Sequence, residues 1–409
     1  MTGTAPPPPS GHVDALTGLR GVAAFSVVLA HFTIRWTEQF NGESIYPYGD
    51  IVPSWLTPSL PVLAFGVNLF FLISGFVMVA FLRHSTSLFD FTVRRLSRLW
   101  PVLILCSALT TLIIMGVGIH NRFESLQGWA VTPLEFVSSI LFIDPADIGR
   151  MTGNPNLDWV DGAYWTLWVD VRFYVLVAIV YRLFSDRKNF AIAWVFIQAI
   201  SVAILFLQSY LEVPVHWTAG AILQPSYLYW FTLGMAACYY VQLKERDLAF
   251  MLAAAGAIAL VLESVISARL YFDGAVLPQL GIYLGLVLVF SLSLFKSPIT
   301  PLLTGRTVLL LGAVSFPLYI FHQRAGLTAM VFFDDLGVPT QLILPLVTAL
   351  VVAIAIALHF FVERPVRQLA LKITGPWVNR AEHKFAFAKF RKGRTVAQME
   401  RTDAVGSQP

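Results

Sequence analysis

The chain has 409 residues, 57% of them hydrophobic and only 13% charged, with a formal net charge of +4. A soluble surface needs roughly 25% charged residues, so a string of soluble domains is excluded and one bundle of spanning helices is implied. The two cysteines, Cys106 and Cys238, sit in apolar stretches. They read as small packing residues rather than as parts of a disulfide framework or a zinc site.

Taken from the N-terminus, residues 1–15 form a segment marked by Pro6 to Pro9. No positive n-region precedes the first apolar stretch, so a retained signal anchor is expected rather than a cleaved signal peptide. A spanning helix needs about 20 mostly apolar residues. About ten stretches meet that length: 16–36, 61–82, 99–118, 163–181, 189–209, 219–241, 248–267, 275–295, 307–330 and 339–362. The expected fold is therefore all-α and polytopic, with the membrane domain over 16–368. A shorter apolar run at 133–143 cannot cross and is read as re-entrant or interfacial.

Basic residues set the orientation. They gather in 83–98, 182–188, 244–246 and 296–306, and again from Arg364 onward. Those segments share one side if both termini are cytoplasmic. The opposite side is acidic, with Glu38, Glu43, Asp50, Asp144, Asp147, Asp158, Asp161, Asp334 and Asp335. It also holds the longest connection, 119–162, and loops of that length are often functional. Residues 369–409 make a basic cytoplasmic tail, in which Phe385, Phe387 and Phe390 alternate with Lys384, Lys389, Arg391 and Lys392. Such a segment either lies on membrane lipids or stays disordered. No nucleotide-binding loop is present, and no nucleic-acid partner is expected.

Ionisable groups inside spans are costly and mark candidate sites. Arg20 and His31 share the first span. Eleven residues separate them, which places both on one helix face about 16 Å apart. Gly21 and Ala24 fall near the same stripe and leave room beside it. Arg20 is either part of a site or an anchor that snorkels to the headgroups; His31 lies too deep for that and is a catalytic or a packing histidine. Asp170 lies about 10 Å into the fourth span, at a depth comparable with His31. It is a candidate partner for the imidazole, as in other carboxylate–histidine pairs, with Arg172 as the competing partner. His322, with Tyr319 one turn before it, is placed to line the same cavity or to pack. No span carries two ligands at metal-binding spacing, so no metal is expected. On the cytoplasmic side, Arg94, Arg95 and Arg98 beside Trp100 suit a phosphorylated ligand, although positive-inside bias also favours arginine there.

These residues occur in an ordered set that resembles the integral-membrane acyltransferase-3 family. Its members include O-antigen, exopolysaccharide and Nod-factor O-acetyltransferases and macrolide O-acyltransferases. The set runs Leu19-Arg20-Gly21 and, after ten residues, His31; Phe70-Phe71-Leu72-Ile73-Ser74-Gly75-Phe76; Arg94-Arg95-x-x-Arg98; and Trp165-Thr166-Leu167 with Asp170 and Phe173-Tyr174. It ends with Ser315-Phe316-Pro317-Leu318-Tyr319-Ile320-Phe321-His322-Gln323 and Glu363-Arg364-Pro365. It covers about residues 14 to 368, nearly the whole chain. Asp170 stands where the family usually has Glu, and Pro317, where small polar residues are common, is expected to kink the ninth span.

The resemblance implies an O-acyltransferase of a bacterial inner membrane. It would use cytoplasmic acyl-CoA, with acetyl-CoA the expected donor, and a carbohydrate or glycolipid acceptor. It implies donor phosphates on Arg94, Arg95 and Arg98, and a pantetheine arm running along the Arg20 face toward His31. Arg20 would guide the arm or polarise the thioester carbonyl. His31 would deprotonate the acceptor or carry the acyl group, with Asp170 in support. Trp165, Tyr174, Tyr319 and His322 are the expected substrate contacts. The competing functions are acylation of a small secreted metabolite or signal oligosaccharide, and lipid or sugar transport. A transporter would favour inverted repeats, and none is evident.

Overall fold

The computed structural model describes residues 10–35, 45, 60–82, 88–154, 156–184, 186–209, 211–213, 217–271, 276–295 and 297–385. Glu38, Glu43, Asp50, Arg83, Lys296, the Pro-rich start and the tail beyond Phe385 lie outside the described residues. Among the described residues every regular element is helical. Sixteen helices matter below: α1 (Ser10–Thr33), α2 (Gly66–Leu82), α3 (Leu88–Val117), α4 (Pro133–Ile140), α5 (Pro145–Thr152), α6 (Tyr164–Leu183), α7 (Arg187–Ser209), α8 (Trp217–Leu223), α9 (Leu228–Cys238), α10 (Arg246–Tyr271), α11 (Val276–Ser293), α12 (Arg306–Ala313), α13 (Ser315–Phe321), α14 (Gln323–Asp335), α15 (Thr340–Leu358) and α16 (Arg364–Phe385).

Seven segments among the described residues are long and apolar enough to cross a membrane. They are Asp14–Thr33, Pro61–Leu82, Asp90–Val117, Arg187–Ser209, Arg246–Ile266, Val276–Ser293 and Thr340–Thr374. They coincide with seven of the stretches read from the sequence. The other three stretches are helical but different. α6 carries Asp170, Arg172 and Arg182. The stretch 219–241 is split between α8 and α9, because Pro225 blocks helix propagation and disfavours helical backbone at the residue before it. Gln224 there takes φ 45°, and its Nε2 donates to the Val169 carbonyl at 2.9 Å. The stretch 307–330 is cut twice, at Val314 and at His322. Pro317 accounts for the first cut: it has no N–H for the Ala313 carbonyl and clashes with it. The broken backbone is tolerated at this depth because it is buried in protein; every residue of α13 is buried.

Close helix packing is achieved by glycine. A Cβ added at Gly75 would lie 2.1 Å from the Phe231 carbonyl oxygen, and one at Gly234 would lie 2.0 Å from that of Leu72. α2 and α9 therefore touch backbone to backbone. The same holds for α1 against α12, where a Cβ on Gly21 would sit 2.5 Å from the Gly312 nitrogen. Gly21 thus serves a helix contact and opens no space for a ligand, contrary to the sequence expectation. Outward-facing Leu112, Phe196, Phe250 and Leu277 stay exposed, as lipid contact requires.

The short run at 133–143 is the helix α4, closed by a capping box between Thr132 and Glu135. It is tied to α3 by a hydrogen bond from Trp100 Nε1 to the Ile140 carbonyl at 2.7 Å. The described residues of the 119–162 connection are tied together by further hydrogen bonds. Glu135 also accepts from the Asp158 backbone N–H at 3.0 Å, and Ser139 Oγ accepts from that of Val160 at 3.0 Å.

Candidate active site

A cavity of about 90 Å³, space for several waters, opens where α1, α2, α3, α6 and α13 converge. Each helix contributes polar groups. Arg20 comes from α1, Ser74 from α2, Arg95 and Arg98 from α3. Thr166, Asp170 and Tyr174 come from α6, and Ser315 and Tyr319 from α13. Tyr174 and Asp170 are one helical turn apart, and the Tyr174 hydroxyl donates to Asp170 Oδ2 at 3.4 Å. Arg95 and Arg20 both bear electrostatically on that carboxylate. Arg95 also lies 5.0 Å from the Tyr174 ring and 4.3 Å from the Phe81 ring. Two polar atoms at this site, Asp170 Oδ1 and Arg95 Nε, are buried without a hydrogen-bond partner. One is an acceptor and the other a donor.

Next to the cavity stands a pair of histidines. His31 Nδ1 lies 2.7 Å from His322 Nε2, and the rings stack with centroids 4.9 Å apart. His322 Nδ1 lies 2.7 Å from the Tyr319 carbonyl oxygen. The Tyr319 hydroxyl and Thr166 Oγ1 are 3.1 Å apart. Tyr319 therefore connects the two parts: its side chain lines the cavity and its carbonyl holds His322. The break of the helix at His322 allows this bond, because the ring turns back on the preceding turn.

An acyltransferase domain model matches residues 13–360 of the chain. The chain belongs to the acyltransferase-3 family. No curated protein and no solved structure matches it. As an acyltransferase-3 protein it needs an acyl donor. Among the described residues no group of three His, Cys, Asp or Glu side chains is placed to hold a metal.

For this family member the sequence reading and the geometry part at Asp170, at the loop arginines and at Trp165. Asp170 does not meet His31: its neighbours are Tyr174 and Ser74, and Arg20 and Arg95 act on it electrostatically. The reason is the start of α6. Tyr164, its first residue, is already buried, and its hydroxyl lies 3.2 Å from Ser107 Oγ. The helix begins packed against α3, and in that setting Asp170 faces the cavity. Arg172 does not pair with Asp170 either. It binds Asp147 at 3.0 Å and lies over Trp168 at 3.5 Å.

The three loop arginines also separate. Arg95 and Arg98 line the cavity, whereas Arg94 is paired with Asp90. Arg98 is 4.0 Å from Glu363, which in turn binds His359 at 2.7 Å. Trp165 lies outside the cavity lining and packs at a tilt against Tyr227, with centroids 5.2 Å apart.

One constellation escaped the sequence reading. Arg324 pairs with Asp158 and lies 4.6 Å from the Trp129 ring. Its backbone N–H donates to Asp161 Oδ2 at 2.9 Å, while Asp161 Oδ1 accepts from Ala163 N at 2.9 Å. Burial pushes the Asp161 carboxyl up to about 6, against the pull of those two backbone N–H groups. This knot ties the 119–162 connection to α14, one residue past the His322–Gln323 pair. An Arg just after the ninth-span motif and two Asp just before the fourth were its only signals.

Proposed function

We propose that the chain transfers an acyl group, acetyl in the first instance, from cytoplasmic acyl-CoA to a hydroxyl of an envelope or exported carbohydrate. In this reading it is a bacterial inner-membrane protein with ten spans and both termini cytoplasmic. The observation that carries the reading is the pair of orphaned buried atoms at the cavity. An unpaired buried donor or acceptor is costly. An amide-bearing chain relieves both at once, its N–H meeting Asp170 and its carbonyl meeting Arg95. The pantetheine arm of CoA is such a chain. Its phosphates would lie toward Arg98 at the basic cytoplasmic end, with Arg94 available once released from Asp90.

The arm then points its thioester past Arg20 and Tyr319 toward the histidine pair. Arg20 stabilises charge developing on the thioester oxygen, and His31 takes the acceptor proton. The test is acyl content of surface and secreted glycans, read by NMR before and after mild alkali. A deletion strain complemented with wild type should regain the ester signal, and one with His31→Ala should not. Unchanged ester content on deletion overturns the carbohydrate assignment. In purified protein, Arg95→Gln and Arg98→Gln should raise the KM for the donor about tenfold while leaving that for the acceptor nearly fixed. A change confined to the acceptor KM removes these arginines from the donor site.

A further inference from the structure

His322 belongs, by its motif, among the expected substrate contacts, but its surroundings give it a different task. It is wholly buried. Its ring is enclosed by His31, by Tyr319 with centroids 5.6 Å apart and by Phe32 at 6.2 Å. Both ring nitrogens are occupied, one by the Tyr319 carbonyl and the other by His31. No face is left for an acceptor sugar.

We infer that His322 is a positioning residue that holds His31 in its Nδ1–H tautomer, so that Nε2 of His31 is the base; this rests on the acyl-transfer reading above. A backbone carbonyl accepts and never donates, so the nitrogen 2.7 Å from Tyr319 O must carry a proton. That nitrogen is Nδ1 of His322. A neutral imidazole has one N–H, so Nε2 of His322 is a lone pair. It lies 2.7 Å from Nδ1 of His31, and two lone pairs at that distance would repel. His31 Nδ1 therefore donates, and the neutral His31 ring has its lone pair at Nε2.

The arrangement does for His31 what a carboxylate does in a Ser-His-Asp triad, but with a neutral partner. In the transfer step the acceptor hydroxyl oxygen attacks the acyl carbon and its proton goes to His31 Nε2. The imidazolium so formed has a charge-assisted hydrogen bond to His322. The C–S bond then breaks, and the same proton passes from Nε2 to the leaving sulfur. Ester and free thiol are formed, and both rings return to their starting tautomers.

The test is nitrogen NMR of the full chain in lipid nanodiscs with ¹⁵N-labelled histidine, the His31 signals being those lost in His31→Gln. In wild type, His31 should show a protonated Nδ1 and an unprotonated Nε2. His322→Gln sets an amide oxygen near the position of Nε2 and should keep that tautomer and about a tenth or more of kcat. His322→Leu should move the His31 proton to Nε2 and lower kcat about a hundredfold or more, with the donor KM within about twofold. A wild-type His31 protonated at Nε2 overturns the inference, as does a His322→Leu protein with unchanged tautomer and kcat. If the predicted tautomer is found but no acyl group moves, the acyl-transfer reading falls and the ring geometry stands. If acyl transfer is found with the wrong tautomer, this inference alone falls.

Discussion

Asp170 is held among Ser74, Tyr174, Arg20 and Arg95, inside a helix bundle. It is the counter-charge for both guanidiniums. Removing one member of a buried ionic group leaves the others uncompensated, at about 3–5 kcal/mol. Asp170→Asn is therefore expected to lower the thermal midpoint of the purified protein by several degrees, as followed by intrinsic fluorescence. Adding Arg20→Gln should restore part of the loss, since the two residues share one electrostatic network and their effects do not add. Additive losses would show that Arg20 and Asp170 act separately. Asp170→Glu, which puts back the family's usual residue, should retain stability better than Asp170→Asn.

The residues that gather at the candidate site were legible at this scale and their pairings were not. Arg20, His31, Asp170 and His322 stand out because ionisable groups are rare inside apolar runs. Their partners depend on where each helix begins. That was set for α6 by Tyr164 and the loop above it, which no periodicity records.

At the scale of elements, the helix contacts are set by single hydrogen atoms. Gly75 and Gly234 bring α2 and α9 together so closely that either Cβ would overlap a backbone carbonyl. Gly75→Ala should push the helices apart and cost about 1–3 kcal/mol. Gly116 in α3 offers the control, because a Cβ there would meet nothing within 4 Å. Gly116→Ala should instead leave stability unchanged or raise it by about 0.5–1 kcal/mol. Thermal unfolding of both variants in the same detergent checks the pair. Equal behaviour would mean that the α2–α9 contact is not tight. Long apolar runs made the seven crossing helices legible. The interruptions were less so. Pro317 announced the break in the ninth stretch, and Pro225 explains that in the sixth. Nothing local marks the second break at His322, which is stabilised by tertiary partners: the stacked His31 ring and the Asp161 carboxylate that takes the next-but-one N–H.

On the proposed function the whole molecule brings a cytoplasmic donor and an outer acceptor to one place, so its orientation belongs to that proposal. In the orientation proposed above, the basic segments put Lys188 and Lys244 on the cytoplasmic side and the acidic 119–162 connection on the other. Both native cysteines are buried, so a single introduced thiol can report the side on which it lies. Met151 in α5 is 79% exposed and lies in the 119–162 connection; Lys244 is exposed in one of the basic segments. Met151→Cys should react with a membrane-impermeant maleimide added to intact spheroplasts. Lys244→Cys should react only after permeabilisation. The reverse pattern would put Arg95 and Arg98 on the outer side, away from cytoplasmic CoA, and the donor assignment would fail with it. Labelling of both thiols in intact cells would mean that the chain does not separate the two sides, and a bundle with His31 reached from outside and Arg98 from inside would not stand. The expected pattern leaves one path open to the reaction: donor in through the arginines, acceptor from beneath the Arg324–Asp158 knot, and His31 between them.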